Sequence, residues 1–153
     1  MKSLIYLTQS DTTAGFLSED FKRLNHIKGR NVKQDVLLTL DTLHKLKNLV
    51  RVPNKHKNRV RKSTKSTFIY TGKNSLEQES LAIRLVCATS PHREFLSFFP
   101  FLYSSSANAH KAEFDLGFAL ERAEVLVLDS RLLSAQNPSK MYKITQTKIK
   151  RVR

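Results

Sequence analysis

Acidic side chains are scarce in this chain. Thirteen Asp and Glu stand against 27 Lys and Arg, a formal net charge of +14 over 153 residues. A field of that sign concentrates polyanions, so it constrains the partner without naming the chemistry. Cysteine is almost missing too. Cys87 stands alone, which excludes an internal disulfide and a cysteine-built zinc site and makes a reducing, cytoplasmic compartment the expectation. Only four glycines occur, and neither Gly-x-Gly-x-x-Gly nor Gly-x-Ser-x-Gly is among the patterns they form. Gly72-Lys73-Asn74-Ser75 fails as a P-loop because Thr67 stands where its first glycine belongs. The five histidines never fall at metal-ligand spacing. Apolar runs such as 98–103 are far too short to span a bilayer, and no membrane partner is expected.

What is present is the material of one globular domain, 1–153. Forty per cent of the residues are apolar, enough at this length to bury a core. The positive charge is uneven. Residues 41–73 hold ten basic side chains and one acid, Asp41, and residues 140–153 hold six more and no acid. Any one lysine reads as solvated surface. As a set, their self-repulsion opposes compaction unless a polyanion offsets it.

Apolar patterning predicts alternating strands and helices. Strands are expected at 4–8, 36–40, 67–71, 81–87, 101–105, 125–129, 141–145 and 148–152. A polar loop is expected at 9–16. Ser18 is the expected N-cap of a first helix, with Glu19 and Asp20 in its first turn and Gly29 as its stop. Further helices are expected at 41–49, 91–99 (with Pro91 in its first turn) and 114–123. Residues 53–66 read as a basic connector without hydrophobic period. The class is α/β: a single-domain, twisted, mixed and largely parallel sheet flanked by helices.

Open sheets of this kind bind ligands in polar loops after strands, and several such loops carry chemistry. Residues 8–16 are rich in hydroxyls (Ser10, Thr12), which suits gripping an amino acid's polar ends, though the same residues make an ordinary Asp/Thr turn. Lys28-Gly29-Arg30 offers a point charge and a planar fork for phosphate or carboxylate. It reads equally as a helix C-cap with cations near the dipole's negative end. Arg84 lies inside the apolar run 81–86 and needs a partner or a ligand there. Ser104-Ser105-Ser106-Ala107-Asn108 offers hydroxyls and an amide at a strand end.

In order, these blocks resemble the YrdC-like family, the threonylcarbamoyl-AMP synthases. Residues 8–16 are similar to its Pro-Thr-Asp-Thr-x-Tyr-Gly-Leu loop, Lys28 and Arg30 to its Lys-x-Arg, and Arg84 to its Leu-Ala-x-Arg strand. Ser104, Ser106 and Asn108 resemble the Ser-x-Ser-Ala-Asn stretch, and Asn137-Pro138-Ser139 and Arg151 a late Pro-Ser loop and strand arginine. Of Pro-Gly-Pro-x-Thr only Thr67 stands in register, and Ala109-His110-Lys111 replaces Leu-Ser-Gly. The resemblance implies that L-threonine, bicarbonate and ATP, with Mg²⁺, yield threonylcarbamoyl-AMP and pyrophosphate. Partner proteins of the transfer machinery would then modify position 37 of tRNA. It further implies threonine contacts at Ser10, Thr12, Arg84 and Ser139, and charge neutralisation by Lys28 and Arg30. ATP contacts would fall to Lys28, Arg30, Thr67, Ser104, Ser106, Asn108 and Arg151. A non-catalytic protein of the same fold that binds tRNA or double-stranded RNA stays open, on the strength of the basic connector and tail.

Overall fold

Strand and helix alternate along the chain in the computed structural model, which describes residues 2–153. The first part runs β1 (Tyr6–Gln9), β2 (Ala14–Ser18), α1 (Phe21–Lys28), β3 (Leu37–Leu40), α2 (Leu43–Leu49), α3 (Lys57–Lys62) and β4 (Ser66–Thr71). Then follow β5 (Ser80–Leu85), α4 (His92–Leu96), β6 (Leu102–Ser106), α5 (Leu116–Arg122), β7 (Val125–Val127), β8 (Lys140–Ile144) and β9 (Ile149–Arg151). Contacts group these into two units, one of Met1–Val36 with Leu102–Asn137, the other of Leu37–Phe101 with Pro138–Arg153. Among the described residues no helix is long and apolar enough to cross a membrane.

In the first unit the strand order is β7-β1-β2-β6. β1 pairs antiparallel with β2 and parallel with β7, and β2 pairs antiparallel with β6. Ile5, Leu7, Ala14, Phe16, Leu24, Ala107 and Ala119 make its buried core. The second unit has the order β3-β5-β4-β8-β9. Here β3–β5 and β4–β8 are parallel, while β4–β5 and β8–β9 are antiparallel. The mixed α/β sheet expected from the sequence is therefore what forms.

Four expectations need correction. Only residues 10–13 of the expected 9–16 loop lack strand structure. Ala14–Ser18 is a fully buried strand, held by pairing on both sides; its sequence Ala-Gly-Phe-Leu-Ser has no period-two alternation to announce it. A Cβ on Gly15 would sit 3.2 Å from the Ser105 carbonyl oxygen, so glycine lets β2 approach β6. Because β2 stays paired through Ser18, α1 starts later, and its N-cap is Asp20. The Asp20 carboxylate accepts from the amides of Lys22 and Arg23 at 2.9 and 3.4 Å, while Ser18 Oγ accepts from Asp20 N at 3.1 Å.

The connector 53–66 also folds. It holds a 3₁₀ turn (Asn54–His56) and α3, whose buried positions are His56 and Val60, four residues apart. Such a short face escapes a search for periodicity. Arg59 lies over the Tyr142 ring at 5.2 Å, and Tyr142 stacks on Phe68 at 5.4 Å, which seats α3 on the β4–β8 pair. Pro91 is the N-cap of α4 rather than a residue of its first turn.

The cap gives a direct test. Asp20→Ala should lower stability by about 1 kcal/mol in urea unfolding, and Asp20→Asn should recover most of it.

Candidate anion site

Lys28 is the last residue of α1, and Gly29 follows it in the left-handed conformation at φ 71°. That reversal points the chain away while the lysine side chain turns inward, leaving it only 4% exposed. Its Nζ donates to the carbonyls of Ser106 and Asn108 at 2.5 and 2.7 Å and lies 3.4 Å from Ser106 Oγ. Burial, reinforced by the Arg30 charge, pulls the Lys28 ammonium down to about 7. The main chain fastens the same junction, His110 N donating to Lys28 O at 2.9 Å.

Arg30 is held by one edge. Its Nε donates to Asn25 Oδ1, and Asn25 in turn donates to the Val32 and Gln34 carbonyls at 3.1 and 2.8 Å. The two Nη groups make no hydrogen bond among the described residues, so the fork remains available to an anion. Burial lowers the pKa of this guanidinium. Asn108 Nδ2 donates to the Ala109 and Ala112 carbonyls at 2.8 and 2.9 Å, tightening its own loop. Lys28, Ser106 and Asn108 thus meet at one place, while Ser104 lies buried on β6 opposite Leu17.

Ser10 and Thr12 are buried and already engaged. Ser10 Oγ donates to Thr13 O at 2.6 Å, accepts from Thr12 N at 3.0 Å and lies 3.1 Å from Thr12 Oγ1. The loop they form is covered by residues 129–136. Arg131 donates to the Ser10 and Gln9 carbonyls, both at 2.8 Å, while its guanidinium pairs with Asp129. Gln9 Oε1 accepts from Ser134 N at 2.8 Å. Arg131 went unread in the sequence. The signal available was Asp129 two residues before it, a carboxylate able to hold the fork in place.

The second unit carries its own polar set. Thr67 is fully buried, with Oγ1 2.7 Å from Ser139 Oγ. Arg84 is 4% exposed and follows Ile83, the residue paired with Phe68, so in the antiparallel β4–β5 register Arg84 and Thr67 fall opposite each other. Arg153 supplies the guanidinium that reaches Ser139, donating to its carbonyl at 2.9 and 3.2 Å. Arg151 is exposed on β9 and donates to the Arg153 carbonyl at 3.1 Å. Side chains alternate along a strand, which puts 151 and 153 on the same face; only the endpoint decides which one reaches inward.

No family model and no curated protein matches the chain. Solved structures do. Escherichia coli YciO superposes with a TM-score of 0.75 at 14% identity, over 99% of this chain and 82% of its own. The chain has the YrdC-like α/β fold. Pyrococcus abyssi Sua5 complexed with L-threonine gives 0.73 at 13% identity, over 98% of this chain and 50% of its own. Full-length HypF in a phosphate- and nucleotide-bound form gives 0.75 at 14%, over 98% of this chain. The chain spans about half the length of Sua5 and 26% of HypF.

Within this YrdC-like fold the loop after Asn108 keeps its turn without the glycine of the motif. Lys111 stands at that position and adopts φ 60°, the left-handed region that costs a side-chain-bearing residue energy. Lys111→Gly should therefore raise stability by about 0.5–1 kcal/mol, read as a higher urea midpoint at unchanged slope.

Proposed function

We propose that this chain makes L-threonylcarbamoyl-AMP from L-threonine, bicarbonate and ATP with release of pyrophosphate, supplying the N6-threonylcarbamoyladenosine modification at position 37 of tRNA. The observation that carries the reading is the buried Lys28 on Ser106 and Asn108 beside the half-held Arg30 fork. Two fold neighbours support it, the one complexed with L-threonine and the one bound to phosphate and nucleotide. In the reaction the carboxylate of N-carboxythreonine attacks the α-phosphorus of ATP, forming a phosphorus–oxygen bond as the bond to pyrophosphate breaks. The chain's task is to position and neutralise charge.

Lys28 would neutralise phosphate as an ammonium, and the Arg30 Nη pair would grip phosphate or carboxylate as a fork. Ser106 Oγ, Asn108 and Ser104 would orient the nucleotide. Ser10 and Thr12, already bonded to each other, would shape the threonine loop and present it through Arg131's hold on its backbone. Thr67, Arg84, Ser139 and Arg151 keep the ATP and threonine roles that the resemblance implies. Among the described residues no group of three or more His, Cys, Asp or Glu side chains could hold a metal ion. Mg²⁺ would have to arrive on the nucleotide's phosphates, and no step is assigned to it.

Pyrophosphate release should require ATP, threonine and bicarbonate together. Lys28→Ala should lower the rate about 100-fold or more; an unchanged rate removes Lys28 from the site. The pH profile follows from the lowered Lys28 pKa. Below about 7 the free chain carries the ammonium, and above it the charge is lost. Hence kcat/KM for ATP should fall above pH ~7, on the order of tenfold per unit, while kcat falls later because bound phosphate holds the proton.

A second reading rests on α3, which turns the connector into a helix with Arg61 and Lys62 exposed and Lys65 just beyond. On that reading the protein binds tRNA or double-stranded RNA without turnover. Removing these three cations should flatten the salt dependence of RNA binding by roughly one unit of slope for each phosphate no longer neutralised. RNA binding in a chain that releases no pyrophosphate would favour this second reading.

A further inference from the structure

A cavity of about 920 Å³ opens in the second unit. Its walls are the C-terminal end of β4 with residues 72–73, the stretch 50–55 after α2, and the β8–β9 turn at 145–147. Neither Thr67, Arg84 nor Ser139 lines it, and the residue at its base, Tyr70, stands three positions past Thr67, about 10 Å along β4. Its size suits a mononucleotide-sized molecule.

Three cations, Arg51, Lys55 and Lys73, line this cavity, and no Asp or Glu does. Nothing in the lining offsets their charge, so an anion is the complement. Deeper in, Tyr70 is 4% exposed, and its hydroxyl is buried with no hydrogen-bond partner among the described residues. Burial pushes the phenol above its usual range, so it stays a neutral O–H donor. A buried hydroxyl left unmet costs about 1–3 kcal/mol, which an incoming oxygen would offset.

The walls are formed before any ligand arrives. Asn74 Oδ1 accepts from Leu76 N and Gln78 N, both at 3.1 Å, and its Nδ2 donates to the Gly72 and Gln78 carbonyls at 3.2 and 2.6 Å. Gly72 supplies the φ of 104° this turn requires. Ser75 N donates to Leu49 O at 3.0 Å, binding the turn to the end of α2. The β8–β9 turn closes through Thr145 N to Lys148 O at 2.9 Å, and Lys55 Nζ reaches the Thr147 carbonyl at 3.3 Å. Pinned walls lower the ordering cost of binding.

We propose that this cavity is an anion site for a small soluble diphosphate, separate from the Lys28 set and independent of the adenylation proposed above. Three positive charges match the trianion to tetraanion of a diphosphate better than a single phosphate group. The one aromatic residue of the lining is the buried Tyr70, which leaves no exposed ring to stack a base. Recognition therefore runs through phosphate oxygens, with the Tyr70 O–H donating to the deepest of them.

The test is titration of the full chain with inorganic pyrophosphate, followed by calorimetry and backbone amide shifts. The expected result is saturable movement of the amides of Gly72, Lys73, Thr145 and Thr147. These shifts should persist in Lys28→Ala, which separates this site from the other. Arg51→Ala with Lys73→Ala should weaken binding there at least about tenfold. Tyr70→Phe should weaken it about three- to tenfold while leaving the unfolding midpoint equal or higher, a combination that a packing role for the hydroxyl would not produce. No movement of these amides at millimolar pyrophosphate overturns the proposal. So does a short RNA that displaces pyrophosphate from them at lower phosphate concentration and with steep salt dependence, which would make the cavity a backbone contact for nucleic acid.

Discussion

A buried ammonium without a carboxylate beside it organises the first unit. Lys28 sits where a helix runs out of hydrogen bonds, and two backbone carbonyls from residues 78 and 80 positions away satisfy its charge. Desolvation opposes the charged form, and the carbonyls oppose that loss. The same contact ties the end of α1 to the end of β6, and His110 N completes it on the main chain. Arg30 can project as it does only because Gly29 reverses the chain between the two cations and Asn25 holds one edge of the guanidinium.

The loops solve a problem posed by the shortage of glycine and proline. Turn geometry that small or ring-locked residues would favour is instead held by amide and arginine side chains. Gln9 bridges the Thr12 carbonyl and the Ser134 amide. Asn25 spans two carbonyls of the following loop, Asn108 ties its own loop, and Asn74 makes four bonds around one turn. Arg131 holds two carbonyls at once with a geometry that lysine lacks. Each device exchanges side-chain entropy for backbone satisfaction, and Lys111 shows that a left-handed turn can persist without glycine when its neighbours are tied.

Several of the few acids serve the architecture. Asp20 and Asp115 cap helices, and Asp41 pairs with Lys45. Glu124 receives the Arg23 fork at 2.8 and 3.0 Å and the Ile5 amide at 2.9 Å. Carboxylates used this way cannot neutralise the cations of α3, of the 50–55 stretch or of β9. Those stretches keep a positive charge that these carboxylates do not offset.

Several things were legible from residues alone: the alternation of strand and helix, the Gly29 stop, and the ordered blocks that put Lys28 with Ser106 and Asn108. Those rest on local chemistry, such as apolar period, turn propensity and residue type. β2 stayed hidden because Ala-Gly-Phe-Leu-Ser does not alternate, and all five positions are buried by pairing on both edges, which no local pattern announces. The α3 helix stayed hidden because one valine and one histidine were its whole inward face. Tertiary structure alone decided that Arg131 grips the loop at 10–13, that Arg153 and not Arg151 reaches Ser139, and that Tyr70 lines one cavity with three cations. In each case the partner is a backbone carbonyl or a cavity wall far along the chain. Strand register, not residue identity, determines which side chain reaches it.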